Sequence, residues 1–324
     1  MRRPNIAKAL RQFLRAIGLM ERPRAPYVPP ARPESPWQTP PVIPPPLTGI
    51  SPLVVKDGPY FKHADGRPFI WAGCTSFDLP VRVREGDLRW ADWLAETGFT
   101  LARIVPASLY RTPRSLADGV RDLPKALKVL RDRNLYAEVV VGVDTKAYGL
   151  TREDYLAYCR DIGAICREAK NAVAEGANEI THGTQAGFLA DADVQRLAKA
   201  ALGVTFAAGS SHGGEGPMWV RGDFITHHTD RSRTHEDNAA RMALVQRRLL
   251  LPIVDDESIG TAEAAIPGKR TADPEFGARQ ARACRAYGLG GVTLHLEAGL
   301  EARVDQLGPV QRESASRFIA AMKE

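Results

Sequence analysis

The 324-residue sequence contains no uninterrupted run of about 18 apolar residues, so no bilayer-spanning helix is expected. Cysteine is scarce. Cys74, Cys159, Cys166 and Cys284 lie far apart without CxxC spacing, which excludes a disulfide-stapled miniprotein and a zinc or redox motif of that kind. They are expected as small buried side chains in a reducing compartment. No GxGxxG follows the first strand signal and no GxxxxGK[ST] occurs, so the phosphate-cradling loops of nucleotide-binding folds are missing. A strong charge of one sign is missing from most of the chain too. The total is +6, but residues 1–33 hold eight Lys and Arg against Glu21, a net of +7, which leaves −1 for the remainder. A folded domain without a basic face lacks the surface that dominates phosphate-backbone affinity, and nucleic acid is not expected as a partner.

What is present begins with an arm. Ile6, Leu10, Phe13, Leu14 and Ile17 form one stripe of a basic amphipathic helix over residues 1–20. The stretch lacks the continuous apolar segment and small-residue cleavage site of a secretory signal. Residues 21–52 carry 12 of the 24 prolines, including Pro44-Pro45-Pro46, and predict an extended polyproline-type spacer. Residues 1–50 are therefore expected to tether the following domain to a protein assembly, the apolar stripe docking in a partner's groove. A membrane surface is the less favoured partner. The arm does not specify a localisation.

From residue 53 short β-rich runs alternate with helical ones. Val54-Val55 and Tyr60-Phe61, with Asp65-Gly66 turning into Pro68-Phe69-Ile70, predict a hairpin lid leading into a first strand. Eight strand runs follow at 69–76, 99–106, 135–144, 171–180, 203–210, 223–229, 251–258 and 291–297. Amphipathic helical runs separate most of them, at 87–97, 115–133, 153–169, 191–202, 235–250 and 274–287, and another closes the chain at 308–323. Only the Gly-rich gap at 211–222 is too short for a full helix. Strict alternation over roughly 250 residues predicts an α/β fold, a single (β/α)8 TIM barrel over 53–324 rather than an open sheet. Trp71, Trp90 and Trp93 are expected to pack barrel against helices.

Barrels of this type work at the carboxyl ends of their strands, and those ends are polar here. The eight runs supply Arg103 on the second, Asp144 on the third, Asn178-Glu179 on the fourth, and Ser210, Ser211 and His212 after the fifth. The sixth carries His227, His228 and Asp230; the seventh Asp255-Asp256-Glu257; the eighth His295 and Glu297. A carboxylate in a barrel mouth is costly unless paired, so Glu179 and Glu257 on opposite sides call for an explanation. Glycoside hydrolysis offers one: a protonated general acid facing an ionised nucleophile, about 5–5.5 Å apart for a retaining outcome. A nearby Arg would hold the nucleophile's pKa down. His227 and His228 alternate in direction, so at most one faces the mouth, and His227 is the candidate contact. His212, Glu215, His227 and Asp230 have no ligand spacing that supports a metal site, and neither metal nor cofactor is expected.

The stretch YFKHADGRPFIWAGCTSF from Tyr60 to Phe77, followed by Gly98-Phe99-Thr100 and Arg103, resembles the opening of the clan A glycoside hydrolases, the cellulase-like and mannanase-like barrels. In that family an Asn-Glu pair closes strand 4 and a glutamate ends a Pro-led strand 7. Asn178-Glu179 and the run from Leu251 through Pro252 to Glu257 match in order and spacing. The resemblance, which covers about residues 55–324, implies that Glu179 is the acid/base, Glu257 the nucleophile, Asn178 the hydrogen bond to the sugar 2-hydroxyl and Arg103 the residue that orients the nucleophile. It also implies a retaining O-glycoside hydrolase acting on an oligo- or polysaccharide. Two positions depart from the family. His295-Leu296-Glu297 stands where a tryptophan platform ends strand 8, and His227-His228-Thr229 where strand 6 usually carries a tyrosine. Sugar stacking is then expected from Trp219 or Tyr148, with Asp144 and His295 as further contacts. The competing expectation is a catalytically silent barrel in an assembly such as a phage particle.

Overall fold

The structure is a computed structural model describing residues 50–55, 58–110, 112–211, 219–230, 233–257 and 273–324. The predicted helix at 1–20 and all but the last residues of the Pro-rich arm lie outside the described residues, as do His212 and Glu215.

A two-stranded antiparallel hairpin, β1 (Leu53–Val55) with β2 (Phe61–His63), leads into β3 (Trp71–Thr75). The chain continues through α1 (Leu79–Arg84), α2 (Arg89–Thr97), β4 (Leu101–Ile104), α3 (Leu116–Arg131), β5 (Tyr136–Gly142), α4 (Arg152–Ala169) and β6 (Ala172–Ala177). Next come α5 (Ala192–Leu202), β7 (Phe206–Ala207), β8 (Ile225–His228), α6 (His235–Leu249), β9 (Ile253–Glu257), α7 (Phe276–Ala286), β10 (Gly291–Leu294), α8 (Glu297–Glu301) and α9 (Pro309–Lys323). Strands β3 to β10 form one parallel sheet, ordered β7-β6-β5-β4-β3-β10-β9-β8. Its two edges meet through the Ala207–Phe224 bridge, so the sheet is a nearly closed (β/α)8 barrel.

Local sequence explains the elements. Helices α3 and α4 open with reciprocal capping boxes, Ser115 with Asp118 and Thr151 with Asp154, each satisfying two otherwise unpaired amide donors. Helices α2 and α5 stop at Gly98 and Gly203, whose φ values of +100° and +62° suit glycine. Two helices escape sequence periodicity: α1 and α8 are six and five residues long, too short to display a helical stripe.

Side chains alternate across each strand, and the inward ones form layers. At the amino-terminal end, Trp71, Leu101, Tyr136, Val173, Ala207 and Val254 pack with Leu53 and Phe61 of the hairpin. The hairpin therefore plugs the bottom of the barrel instead of acting as a lid over its mouth. Trp71 belongs to this plug, its Nε1 donating to Thr293 Oγ1 at 3.2 Å, which corrects the expectation that it packs against helices. Trp90 and Trp93 do lie in the outer layer between strands and helices. Above the plug the inward side chains turn polar. All four cysteines are buried thiols.

Phe61 is fully buried between Trp71 and Phe224, with ring centroids 4.8 and 5.2 Å away. Phe61→Ala is expected to destabilise the fold by about 3–5 kcal/mol in urea unfolding. A change below about 1 kcal/mol would show that the plug is not part of the cooperative core.

Candidate active site

Arg103 is the inward residue near the end of β4, and its side chain has no exposed surface. Its Nη2 donates to Glu175 Oε2 at 2.7 Å and to Asn178 Oδ1 at 2.9 Å. Its Nε lies 2.7 Å from Asp256 Oδ2 and 3.6 Å from Glu138 Oε2, and its Nη1 lies 3.6 Å from Glu257 Oε2. Burial works against the guanidinium charge, yet Asp256, Glu175, Glu138 and Glu257 outweigh it and keep its pKa above the ordinary value.

Asn178 and Glu179 follow β6 in a tight turn. Gln185 fastens it: Nε2 donates to Asn178 O and Gly142 O, while Oε1 accepts from Thr145 N and Thr145 Oγ1. Ser210 adds a contact from the next loop, its backbone oxygen accepting from Ile180 N at 2.8 Å. Glu179 has φ +47°, and Asp144, after β5, has φ +54°. Left-handed backbone at two non-glycine residues is strain of the kind that gathers at functional sites. Asp144 is held by Ser108 Oγ and Leu109 N, each donating to Oδ2 at 3.0 Å.

On β9 alternation sends Asp255 outward, to Gln280 Nε2 at 3.2 Å and Cys284 Sγ at 3.7 Å. Burial raises Asp255 to about 7. The β8–β9 register then shifts: His227 pairs with Asp255 but His228 with Glu257, so Asp256 is the extra residue. Asp256 turns in to Arg103, and Glu257 still reaches the mouth.

Alternation along β8 decides between the two histidines, since Thr226 points inward to Glu175 and His228 follows two residues later. His228, not His227, faces the mouth, with Nδ1 3.4 Å from Glu179 Oε1 and Nε2 3.8 Å from Glu257 Oε2. His227 is buried, with Arg241 and Asp230 among its charged neighbours, and desolvation lowers it to about 3. The expectation of a substrate contact at His227 is thus corrected: strand alternation points it away from the cavity. One oxygen each of Glu179 and Glu257 and one ring nitrogen of His228 all lie within 4.8 Å of one another.

Glu179 and Glu257 border a cavity of about 390 Å³, which Asp144, Asn178, His295 and Glu297 also line. His295 Nδ1 sits 3.0 Å from Thr75 Oγ1. Trp219 does not join them; its Nε1 donates to Ser211 Oγ at 3.1 Å and its ring packs against the core. Tyr148 donates instead to Arg114 O. The aromatic rings lining the cavity, among the described residues, are Phe77 and Tyr110, and Tyr110 is 58% exposed.

Electrostatics separates the groups. Burial would raise Glu257, but His228, His295 and Arg103 together hold it below the usual carboxylate range. Burial would likewise lower His228, but Glu257 and Glu179 raise it to about 9, so it is a cation at neutral pH. His295 is pushed down by burial and by Arg103 against the pull of Glu257. Two groups of side chains bring three possible metal ligands within 4.8 Å: Glu179, His228 and Glu257 at the mouth, and Glu138, Glu175 and Asp256 below. In the first the ring of His228 approaches both glutamates, and in the second Arg103 lies 2.7 Å from Asp256 and from Glu175.

Glu138 and Glu175 were not foreseen, while Asp256 and His228 stood among the polar strand ends without an assigned role. A lone Glu inside each of the apolar runs YAEVVVG and AVAEGA was the available signal for the first two.

No family model matches the sequence, and no curated protein matches it. Solved structures do. The barrel resembles family 5 glycoside hydrolases. One of these, from Bacteroides vulgatus, superposes with TM-score 0.60 at 15% identity over 77% of this chain and 64% of its own, so this chain spans less than two thirds of that protein. A β-glucanase from Saccharophagus degradans in complex with cellotetraose gives TM-score 0.62 at 12% identity, over 86% of this chain and 95% of its own. An endo-1,4-β-mannanase from Rhizomucor miehei gives 0.60 at 12%, over 85% of this chain and 100% of its own. At such identities the likeness establishes the shared fold.

A histidine raised from about 6.5 unfolded to about 9 folded contributes stability that is fully present below pH 6.5 and lost as pH rises through 9. His228→Asn is therefore expected to be less stable than wild type by on the order of 3 kcal/mol at pH 6, a gap that shrinks by pH 10. Urea unfolding at both pH values measures it, and a pH-independent gap would contradict a charged His228.

Proposed function

We propose that the chain is a retaining O-glycoside hydrolase acting on an oligo- or polysaccharide. The carrying observation is the approach of Glu179 and Glu257 within 4.8 Å, at a cavity large enough for sugar units. That separation falls on the close side of the two carboxyl spacings known for these reactions, the side used for retention. Glu257, held ionised by His228, His295 and Arg103, is the nucleophile that attacks the anomeric carbon. Glu179 protonates the departing oxygen, and then takes a proton from the water that releases the sugar. Asn178 has its oxygen engaged by Arg103, which turns its amide nitrogen into the donor for a sugar hydroxyl. With no tryptophan ending β10, the exposed ring of Tyr110 is the stacking surface at the rim.

The full chain incubated with β-glucan, mannan and a panel of plant, bacterial and host glycans is expected to release new reducing ends. Glu257→Gln should abolish them and Glu179→Gln should lower kcat by about 10²–10⁴-fold. Anomeric NMR signals should show retention in the first product formed. Unchanged turnover in Glu257→Gln would remove the nucleophile assignment.

We further propose that residues 1–50 tether this barrel to a protein assembly, on the strength of the apolar stripe of the basic helix and the proline-rich spacer. The same arm supports the second reading, a silent barrel in an assembly such as a phage particle. A chain lacking residues 1–49 should unfold like the full chain and fail to co-purify with its assembly; normal incorporation would end the tether reading.

A further inference from the structure

Beneath the mouth, Glu138, Glu175 and Asp256 surround the single guanidinium of Arg103, and all four side chains are 0% exposed. Fully ionised, they would leave two uncompensated negative charges in a dry barrel, a cost of several kcal/mol per charge. Their hydrogen bonds show where the imbalance sits. Glu175 is satisfied on both oxygens, by Arg103 Nη2 at 2.7 Å and Thr226 Oγ1 at 2.9 Å. Neither oxygen of Glu138 and neither oxygen of Asp256 has a hydrogen-bond donor, although Asp256 Oδ2 is ion-paired with Arg103 Nε at 2.7 Å. Yet one oxygen of Glu138 and one of Asp256 lie within 4.8 Å of each other. Two carboxylates are acceptors only, so this approach is favourable only if one of them carries a proton.

We propose that Glu138 is a protonated acid donating to Asp256, and that it is a positioning residue for Glu257. An ionised Glu138 would compete for Arg103 Nε, now 2.7 Å from Asp256 and 3.6 Å from Glu138, and draw the guanidinium toward β5. Its neutral form leaves Arg103 directed to β9, where Asp256 and Glu257 are successive residues. The groups facing Glu138 are Arg103 from β4, Glu175 from β6 and Asp256 from β9, with His228 of β8 beyond Asp256 at 3.9 Å. Burial and the charges of Asp256 and Glu175 push Glu138 well above the carboxylate range against the pull of Arg103, in agreement with the geometry. An acid so raised weakens folding as pH climbs above about 4.3, where the unfolded chain releases the proton and the folded chain keeps it.

The positioning role rests on the proposed hydrolase reading, whereas the proton does not, and two measurements on the full chain separate them. Infrared difference spectra at pH 7.5 between wild type and Glu138→Gln should show a carboxylic-acid C=O band in wild type that the variant lacks. Absence of that band, or a stoichiometric metal in purified wild type that Glu138→Gln loses, would overturn the proton assignment. In glycan hydrolysis, Glu138→Gln, a permanent neutral donor, should move the alkaline limb of kcat/KM to higher pH. Glu138→Leu, without a donor, should lower kcat by on the order of 10–100-fold with little change in KM. An alkaline limb and kcat identical to wild type in both variants would overturn the positioning role. A wild type that cuts no glycan but shows the band would refute the hydrolase, and with it the positioning role, while leaving the proton in place.

Discussion

A guanidinium without solvent must be surrounded by acceptors or be expelled, and Arg103 is surrounded on every side by side chains from different strands. Its contacts join β4 to β5, β6 and β9, so one charge holds together the layer on which the mouth is built. Removing it would strand three buried carboxyl groups at once. Glu257 and Asn178 are anchored from below by the same group, which makes the geometry of the mouth and interior electrostatics a single structural problem.

Above this layer the charges are arranged in alternation. The cationic His228 lies between Glu179 and Glu257, within 3.4 Å of the first and 3.8 Å of the second, where the nearest oxygens of the two acids are less than 4.8 Å apart. The approach of Glu257 to His228 depends on the β8–β9 register shift, since strict pairing would not bring Asp256 and Glu257 to the same end of β9 with both directed inward. The barrel also separates its work by height. An aromatic plug at the bottom supplies packing, the Arg103 layer supplies charge, and left-handed turns at Asp144 and Glu179 present side chains to the cavity.

Much of this was legible in the sequence. Alternating β and helical runs specify the barrel because each period, two or 3.6, is imposed by backbone geometry and needs no distant partner. Glu179, Glu257, Asn178 and Arg103 were visible as polar residues ending apolar strands. The hairpin and Trp71 were read at the wrong place because a sequence shows which residues are apolar but not which end of a barrel they fill. Trp219 and Tyr148 were plausible rings whose polar atoms turned out to serve Ser211 and Arg114.

The sequence by itself determined the order of elements and the set of acids and bases at the strand ends, because local periodicity and residue chemistry are properties of neighbouring positions. Tertiary structure alone decided that His228 rather than His227 meets the glutamates, that Asp256 joins Glu257 on the inner side, and that Glu138 and Glu175 converge on Arg103. Those outcomes depend on a one-residue shift in register and on the stagger of strands distant in sequence, and each reverses if a strand slides by one position.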